Sequence, residues 1–334
     1  MKDYINKFPI NVRADIAKTS TNGGVLSSQA CARICELMSL DRKSLMIQLL
    51  PFAANFSNAP ISSYRVGAVA SGIVQPDGSA NLYFGANFEF ENQALCHSIH
   101  AEQSAVSNAW LHDEPGIIEI ATSSAPCGHC RQFLYEFSSR SELEVLMPHS
   151  NIPPANSLDG ESNDCTGSEK SAGNSSTQTN YDSINLSLLL PHAFGPLDMG
   201  CEENLMGRPI DSNGLKLVHG NGDELVQQAF QAANQSYAPY TKNFTGCAIQ
   251  IRSGDIFQGR YVENAAHNPS LPAFSAAISN MNMSSQNIKS ENIERVVMVE
   301  NSTSAGQKDS AQTLLKAYNG HVTMEYHRAI NASL

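Results

Sequence analysis

Hydrophobic and polar positions alternate along the chain in two spacings, one typical of strands and the other of helices. Two short apolar runs flank the sequence Pro76-Asp77-Gly78, a turn in which glycine accepts a positive φ, and together they predict a hairpin. The predicted elements, in chain order, are strands at 64–70 and 81–86, a helix at 101–111, a strand at 117–122, a helix at 127–137 and a strand at 143–146. Strands that alternate with helices predict an α/β fold with a largely parallel sheet.

The same patterns divide the chain into four segments. Residues 1–45 are predicted to be helical with a break at Gly23-Gly24, and residues 46–150 carry the alternating strands and helices. Between 156 and 180, 16 of the 25 residues are Ser, Thr, Asn or Gly, with hardly any apolar anchor. Such a composition cannot offset its ordering entropy, so we predict a flexible insertion or linker over 151–183 and a further domain over 184–334.

The second half of the chain repeats the middle. Three pairs of segments match: 64–70 with 243–249, 83–89 with 256–263, and 101–106 with 273–278. Each pair holds the same element of the predicted fold, in the same order. The sequence therefore predicts an internal duplication of about 100 residues.

Composition and charge exclude several classes of partner. Acidic residues outnumber basic ones by 32 to 21, giving a net charge of −11, which would repel the phosphates of DNA or RNA. No apolar run reaches the roughly 18 residues of a membrane span, and the first residues lack a secretory signal pattern. Eight cysteines without an export signal indicate reduced thiols or metal ligands, so we expect a cytoplasmic protein with no membrane partner.

Candidate metal ligands occur in two clusters of the first copy. His100-Ala101-Glu102 precedes a predicted helix, and Pro126-Cys127-Gly128-His129-Cys130 begins another. One histidine and two cysteines suit Zn²⁺, and three protein ligands leave a fourth position for a water whose pKa zinc lowers to about 7. At a helix start Glu102 can face the same site as His100 and transfer that water's proton.

A closed zinc site is the main alternative. If Cys96 joined His100, Cys127 and Cys130, four protein ligands would leave no place for water and the zinc would be structural. We disfavour this because it leaves Glu102 without a role. A redox function for the Cys-x-x-Cys pair lacks the expected sequence context.

These motifs resemble the zinc-dependent cytidine deaminase family, and more closely its homodimeric two-repeat branch. The resemblance implies a three-layer α/β/α sandwich, duplicated into a catalytic copy at 46–150 and a degenerate copy at 184–334. It implies one Zn²⁺ per chain, bound by His100, Cys127 and Cys130. Glu102 would then be the catalytic proton shuttle.

The resemblance also implies the substrate contacts. Asn87 and Glu89 would hydrogen-bond the ribose 3′-hydroxyl, and the backbone around Ala101 would line the pyrimidine edge. Tyr64 would pack on the base at a position where relatives more often have Phe. Phe194 resembles the residue that reaches the site of the neighbouring subunit in the homodimer.

The two copies differ where the chemistry lies. Pro272-Ala273-Phe274 stands in the second copy where the first has His100-Ala101-Glu102, and no Cys-x-x-Cys follows. We therefore expect the second copy to hold no metal and to have a structural role. In the first copy, zinc with two thiolates and one imidazole carries no net charge. The next position is correspondingly the uncharged Gln103, where single-repeat relatives with three thiolates have arginine.

The function that follows is hydrolytic deamination of cytidine and 2′-deoxycytidine to uridine and 2′-deoxyuridine, with release of ammonia, in pyrimidine salvage. The expected partner is a small nucleoside. One alternative is an enzyme of the same fold that edits bases in RNA or single-stranded DNA. The net charge and the lack of a Lys/Arg cluster near the site disfavour it. The other is a non-catalytic structural zinc scaffold.

Overall fold

The computed structural model describes residues 2–137, 143–149, 180–206, 213–220, 222–284, 289–301 and 304–331. The predicted insertion at 151–183 lies outside these ranges except for its last residues. The described strands are β1 (Val25–Leu26), β2 (Gly67–Ser71), β3 (Leu82–Ala86), β4 (Glu119–Thr122), β5 (Glu144–Pro148), β6 (Tyr181–Asn185), β7 (Leu215–Leu217), β8 (Thr245–Ile251), β9 (Ile256–Arg260), β10 (Ile293–Asn301) and β11 (Met324–Asn331). The described α-helices are α1 (Lys2–Ile5), α2 (Arg13–Lys18), α3 (Ser28–Met38), α4 (Arg42–Ala54), α5 (Ala101–Leu111), α6 (Gly128–Leu134), α7 (Leu186–Leu189), α8 (Glu224–Asn234), α9 (Ala273–Ser284) and α10 (Lys308–Tyr318).

The described strands form two sheets, and neither is largely parallel as the sequence predicted. Their orders are β1-β3-β2-β4-β5-β6 and β7-β11-β10-β8-β9. Only β4 with β5 and β10 with β11 run parallel among these strands. The connections between the strands explain their directions. The tight turn at 76–78 joins β2 to β3, so these two strands must run antiparallel. A helix connects the strands of each parallel pair, α6 in the first sheet and α10 in the second.

Helices cover both faces of each sheet, which confirms the duplicated three-layer sandwich. In the first sheet, Val69 and Phe84 pack in the core with α4, whereas Ala68 and Tyr83 face the core that contains α5. The second sheet repeats this with α8 on one face and α9 on the other. Helices α5 and α9 share one core, so the two halves join through the layer that carries the predicted metal-binding motif.

Helices pack closely on strands at matching glycines in both halves of the chain. A Cβ added to Gly67 would lie 2.4 Å from the Ala54 nitrogen, and one added to Gly246 would lie 2.1 Å from the Ala233 nitrogen. Gly85 stands against α5 and Gly259 against α9 in the same way, each within 2.2 Å of a helix nitrogen. Because a side chain would collide with the helix at each of these positions, the two copies share glycine there, as the predicted repeat requires.

The ends of the first sheet differ from the sequence prediction. The helical segment at 1–45 also contributes β1, which pairs antiparallel with β3. The strand β6 pairs with β5, so residues 181–183 of the predicted linker are an edge strand. Helix α4 begins at Arg42, because the Asp41 carboxylate caps it by accepting a 2.6 Å hydrogen bond from the Ser44 N–H.

Candidate metal centre and active-site cavity

Two helix starts bring the predicted metal ligands together. His100 is the N-cap residue of α5, Cys127 is the N-cap residue of α6, and Cys130 lies in the first turn of α6. The His100 Nδ1 atom lies 3.5 Å from Cys127 Sγ and 3.2 Å from Cys130 Sγ, and the two sulfurs are 3.6 Å apart. Among the described residues, these three form the group of His, Cys, Asp and Glu side chains arranged to hold a metal ion.

The geometry of this group fits zinc. Bonds of about 2.3 Å to sulfur and about 2.0 Å to nitrogen, at tetrahedral angles, separate ligand atoms by roughly 3.5 to 3.8 Å. The separations of 3.2 to 3.6 Å are close to this, and one imidazole with two thiols is a donor set that zinc prefers. Cys96 is exposed and lies outside the group, which leaves the closed four-ligand site without its fourth ligand.

The pKa values of the two thiols are shifted in opposite directions. The hydrogen bond between the two sulfurs lowers the pKa of Cys127 to about 4, with backbone N–H groups of the helix start adding to the effect. The same hydrogen bond, together with burial, raises the pKa of Cys130. At least one thiolate, the form that binds a metal, is therefore stabilised by the fold itself.

The Glu102 carboxyl is buried in the first turn of α5, two residues after His100, and is 4% exposed. Burial raises its pKa above the ordinary range. It forms part of the wall of a cavity of about 390 Å³. The predicted residues that line this cavity are Tyr64, Asn87, Glu89, His100, Ala101, Glu102 and Cys127. Cys130 is fully buried beneath them.

Asn87 is held rigidly at the cavity wall. Its Oδ1 atom accepts hydrogen bonds from Ser57 Oγ at 2.6 Å and from the Val66 N–H at 2.8 Å. Its Nδ2 atom donates to the Tyr64 carbonyl at 2.9 Å. One Nδ2 hydrogen is left for a ligand, because an amide nitrogen carries two.

The turn at Ile61 and Ser62 anchors the Glu89 carboxylate. Its carboxylate accepts hydrogen bonds from the Ile61 N–H at 2.9 Å, the Ser62 N–H at 3.0 Å and the Ser62 hydroxyl. Burial alone would raise the Glu89 pKa, but these hydrogen bonds outweigh it and hold the pKa below its ordinary value. A carboxylate has about four acceptor positions, so one stays available to a ligand.

Tyr64 and Phe194 lie at different places. Tyr64 is 50% exposed at the cavity rim, and its hydroxyl lies 2.8 Å from Ser124 Oγ. Phe194 is 45% exposed and is not part of the cavity wall in the single chain. Its carbonyl accepts a 2.5 Å hydrogen bond from Gln132 Nε2 of α6.

Sequence reasoning missed several residues of this region. Ser62 anchors Glu89, and Ser124 bonds to Tyr64, yet neither belongs to a recognised motif. A signal for Ser62 existed in the repeat, because Thr241 keeps a hydroxyl at the matching position. Beside the ligands, His129 stacks on His100 with ring centroids 4.8 Å apart, and Arg131 donates to the Pro126 and Leu189 carbonyls.

The second half has no metal-binding group within its described residues. Pro272 and the buried Phe274 replace the histidine and the glutamate. Gln307 is the N-cap residue of α10, as Cys127 is of α6, and its Oε1 accepts a 3.1 Å hydrogen bond from the Ala273 N–H. An amide thus stands where the first half has the Cys127 thiol.

Comparison with known proteins matches both halves to one family. Models of the "Cytidine and deoxycytidylate deaminase zinc-binding region" match residues 41–144 and 186–312. A cytidine deaminase of Aeromonas hydrophila is 42% identical over 288 residues, which cover 86% of this chain and 84% of that protein. The chain belongs to the cytidine deaminase family. The predicted resemblance, the duplicated fold and the zinc cofactor are thereby confirmed.

A second curated relative gives the same result. One from Aliivibrio fischeri is 38% identical over 304 residues, which cover 91% of this chain and 88% of that protein. A crystal structure of a cytidine deaminase from Burkholderia pseudomallei is 24% identical and aligns 45% of this chain with 97% of that chain at a TM-score of 0.30.

None of the helices in the described part of the chain has the length and apolar character of a membrane span.

Proposed function

We propose that this chain catalyses the hydrolytic deamination of cytidine and 2′-deoxycytidine, which yields uridine or 2′-deoxyuridine and ammonia. The observation that carries the proposal is the position of Glu102. Its carboxyl is buried two residues from a metal ligand and faces a cavity of about 390 Å³, a volume suited to a small ligand. A structural zinc site would have no use for this carboxyl.

The residues divide the chemistry between them. Zinc, when bound by His100, Cys127 and Cys130, supplies Lewis acidity that makes water a competent nucleophile near neutral pH. A Glu102 carboxylate oxygen takes a proton from the attacking water and delivers it to ring N3. The remaining OH of that water adds at C4 of the pyrimidine. Glu102 then takes the proton of this added hydroxyl and delivers it to the amino group, so that the C4–N bond breaks, ammonia leaves and a C4 carbonyl forms.

Asn87 and Glu89 position the ribose. The free Nδ2 hydrogen of Asn87 is a donor, and the remaining acceptor position of the Glu89 carboxylate is an acceptor. A hydroxyl both donates and accepts, so this pair suits the ribose 3′-hydroxyl. The backbone around Ala101 borders the pyrimidine edge, and the Tyr64 ring packs on the base from the cavity rim.

The assembly is proposed to be a homodimer in which Phe194 reaches the partner's site. The support is an apolar surface on the segment that contains Phe194. Leu188 and Leu197 are 74% and 66% exposed on the same segment. We further propose that residues 46–150 are the catalytic domain, that residues 184–334 are a non-catalytic one, and that the enzyme acts in cytoplasmic pyrimidine salvage.

An ultraviolet assay on cytidine, with zinc quantified in the same sample, tests the proposal. We expect uridine and ammonia in equal amounts and about one zinc per chain. An oligonucleotide that contains cytosine should neither react nor inhibit. Absence of ammonia from every pyrimidine nucleoside in a zinc-loaded sample would refute the proposal.

A further inference from the structure

Gln103 connects the metal-binding end of α5 to the second half of the chain. Its Oε1 atom accepts a hydrogen bond from the His100 N–H at 3.2 Å, and its Nε2 atom donates to the Pro269 carbonyl at 2.9 Å. Gln103 is 2% exposed, and Pro269 is also buried. Rotation of this amide would leave buried polar groups without partners, so the backbone of His100 is tied to Pro269, which lies 166 positions after Gln103.

The segment that holds Pro269 also contacts the other metal-binding helix. Asn264, fully buried, donates from Nδ2 to the Gln132 carbonyl of α6 at 3.1 Å. The Ala265 N–H donates to the Glu136 carboxylate, just beyond the end of α6, at 3.0 Å. One turn of the second half, residues 264–271, therefore binds both α5, which His100 caps, and α6, which carries Cys130.

This turn is well ordered internally. The Asn264 N–H donates to Ser270 Oγ at 2.9 Å, and the Ser270 N–H donates to the His267 carbonyl at 2.9 Å. Val262 and Leu271 exchange two backbone hydrogen bonds of 2.8 and 3.0 Å at its base. The Pro269 carbonyl is thus presented by a rigid support, as a positioning contact requires.

The matching residues of the second half cannot form the hydrogen bond that joins Gln103 to His100. The residue that matches His100 is Pro272, which has no backbone N–H, and the residue that matches Gln103 is Ser275. A glutamine that accepts from the N–H of a helix-capping histidine therefore occurs in the copy with the metal ligands and not in the other. This distribution points to a role at the metal centre rather than in the repeat itself.

We propose that the 264–271 turn is a positioning element of the metal centre. It acts through Gln103 on His100 and through Asn264 on the helix of Cys130. The half without ligands then determines how firmly the metal is held. The inference rests on the proposed function only in that it takes the same three residues as zinc ligands. Partners that orient metal ligands typically contribute 10- to 100-fold to metal affinity.

The test measures loss of zinc from the full-length holoenzyme into excess chelator, without substrate. Gln103→Leu removes both hydrogen bonds at nearly constant volume, and we expect zinc to dissociate at least about tenfold faster. Asn264→Ala removes the contact with α6 and should have the same direction of effect. In the cobalt-substituted enzyme, both variants should shift the visible absorption bands, which report ligand geometry.

Ser279→Ala is the matched control. Its hydroxyl makes a buried 2.7 Å hydrogen bond to Ser104 Oγ, which also joins the second half to α5 but leaves Gln103 intact. Its zinc dissociation rate and cobalt spectrum should equal those of the wild type. Equal rates for Gln103→Leu and Ser279→Ala would overturn the proposal, and if Gln103→Leu does not fold, Asn264→Ala decides in the same way. Because no substrate is present, the outcome does not depend on whether cytidine is deaminated.

Discussion

Glu89 and Glu263 anchor matching turns in the two halves through the same set of donors. Each carboxylate accepts hydrogen bonds from two consecutive backbone N–H groups and from the hydroxyl of the second residue. These residues are Ile61 and Ser62 for Glu89, and Tyr240 and Thr241 for Glu263. Only Glu89 of the two lines the cavity beside His100 and Glu102. The anchoring therefore belongs to the fold, and the acceptor position that faces the cavity is specific to the first half.

Glu89→Gln should impair both stability and substrate binding. The variant replaces an acceptor by an amide nitrogen that faces a donor, so we expect the free energy of unfolding to fall by about 1–3 kcal/mol. Loss of a charged hydrogen bond to the ribose should lower kcat/KM for cytidine by about 10- to 100-fold, mainly through KM. Steady-state kinetics and urea unfolding of the same preparation measure the two effects.

Glu263→Gln is the control for this prediction. It should lose a similar amount of stability, because its carboxylate accepts from equivalent donors. Its KM for cytidine should stay that of the wild type. A comparable rise of KM in both variants would mean that Glu89 acts through the fold alone.

Glu102→Gln should abolish most of the turnover while zinc is retained. The amide cannot accept and return a proton, and general acid–base catalysis typically contributes about 10²–10⁴-fold to the rate. Metal analysis and kcat for cytidine test this together. Glu91→Gln, at an exposed carboxylate outside the cavity wall, should change neither value. A Glu102→Gln enzyme with the wild-type rate is incompatible with the mechanism.

Cys127→Ser and Cys96→Ser should separate the open zinc site from the closed one. Cys127 belongs to the ligand group, so its replacement should greatly reduce zinc content and activity. Cys96 is exposed outside the group, so Cys96→Ser should keep the zinc and activity of the wild type. Elemental analysis after dialysis gives the answer, and loss of zinc from Cys96→Ser would favour the closed structural site.

The titration of the Glu136 carboxyl should lower the free energy of unfolding as the pH rises. Burial raises the pKa of its carboxyl above the ordinary value of 4.5, despite hydrogen bonds from Tyr240, Ala265 and Tyr237 that lower it. The unfolded chain therefore releases this proton at a lower pH than the folded chain. The contribution of Glu136 to stability is full below 4.5 and is lost as pH rises from there through the folded pKa.

Glu136→Gln removes this titration. The free energy of unfolding of the wild type, measured against that of the variant in urea, should fall between pH 4.5 and pH 8. Other titrating groups cancel in the difference, since they are common to both proteins. A difference that stays constant over this range would contradict the raised pKa.

Local sequence patterns were sufficient for the metal centre. His100 and Glu102 are placed by the start of one helix, and Cys127 and Cys130 by the first turn of another. Each pair is set by backbone geometry over two or three residues, which spacing alone can reveal. The repeat was equally visible, because close helix–strand packing demands glycine at matching positions such as Gly67 and Gly246.

Non-local contacts could not be read from the sequence. Strand direction depends on which strands pair, and the pattern of apolar residues in β4 and β5 is compatible with either direction. The hydrogen bond from Gln103 to Pro269 joins residues from the two halves, and nothing in either segment indicates the other. Ser62 was overlooked for a related reason: its hydroxyl matters only because Glu89 lies opposite in the folded chain.

The matching glycines at the helix–strand contacts have a consequence for how the second half tolerates substitution. Gly246 and Gly259 stand so close to α8 and α9 that even alanine would displace a helix. Substitution there should be strongly restricted, whereas Pro272 and Phe274, which match His100 and Glu102, are constrained only by packing. The second half should therefore tolerate substitutions at Pro272 and Phe274 better than at its helix–strand contacts, and mutational scanning of 245–284 would show this difference.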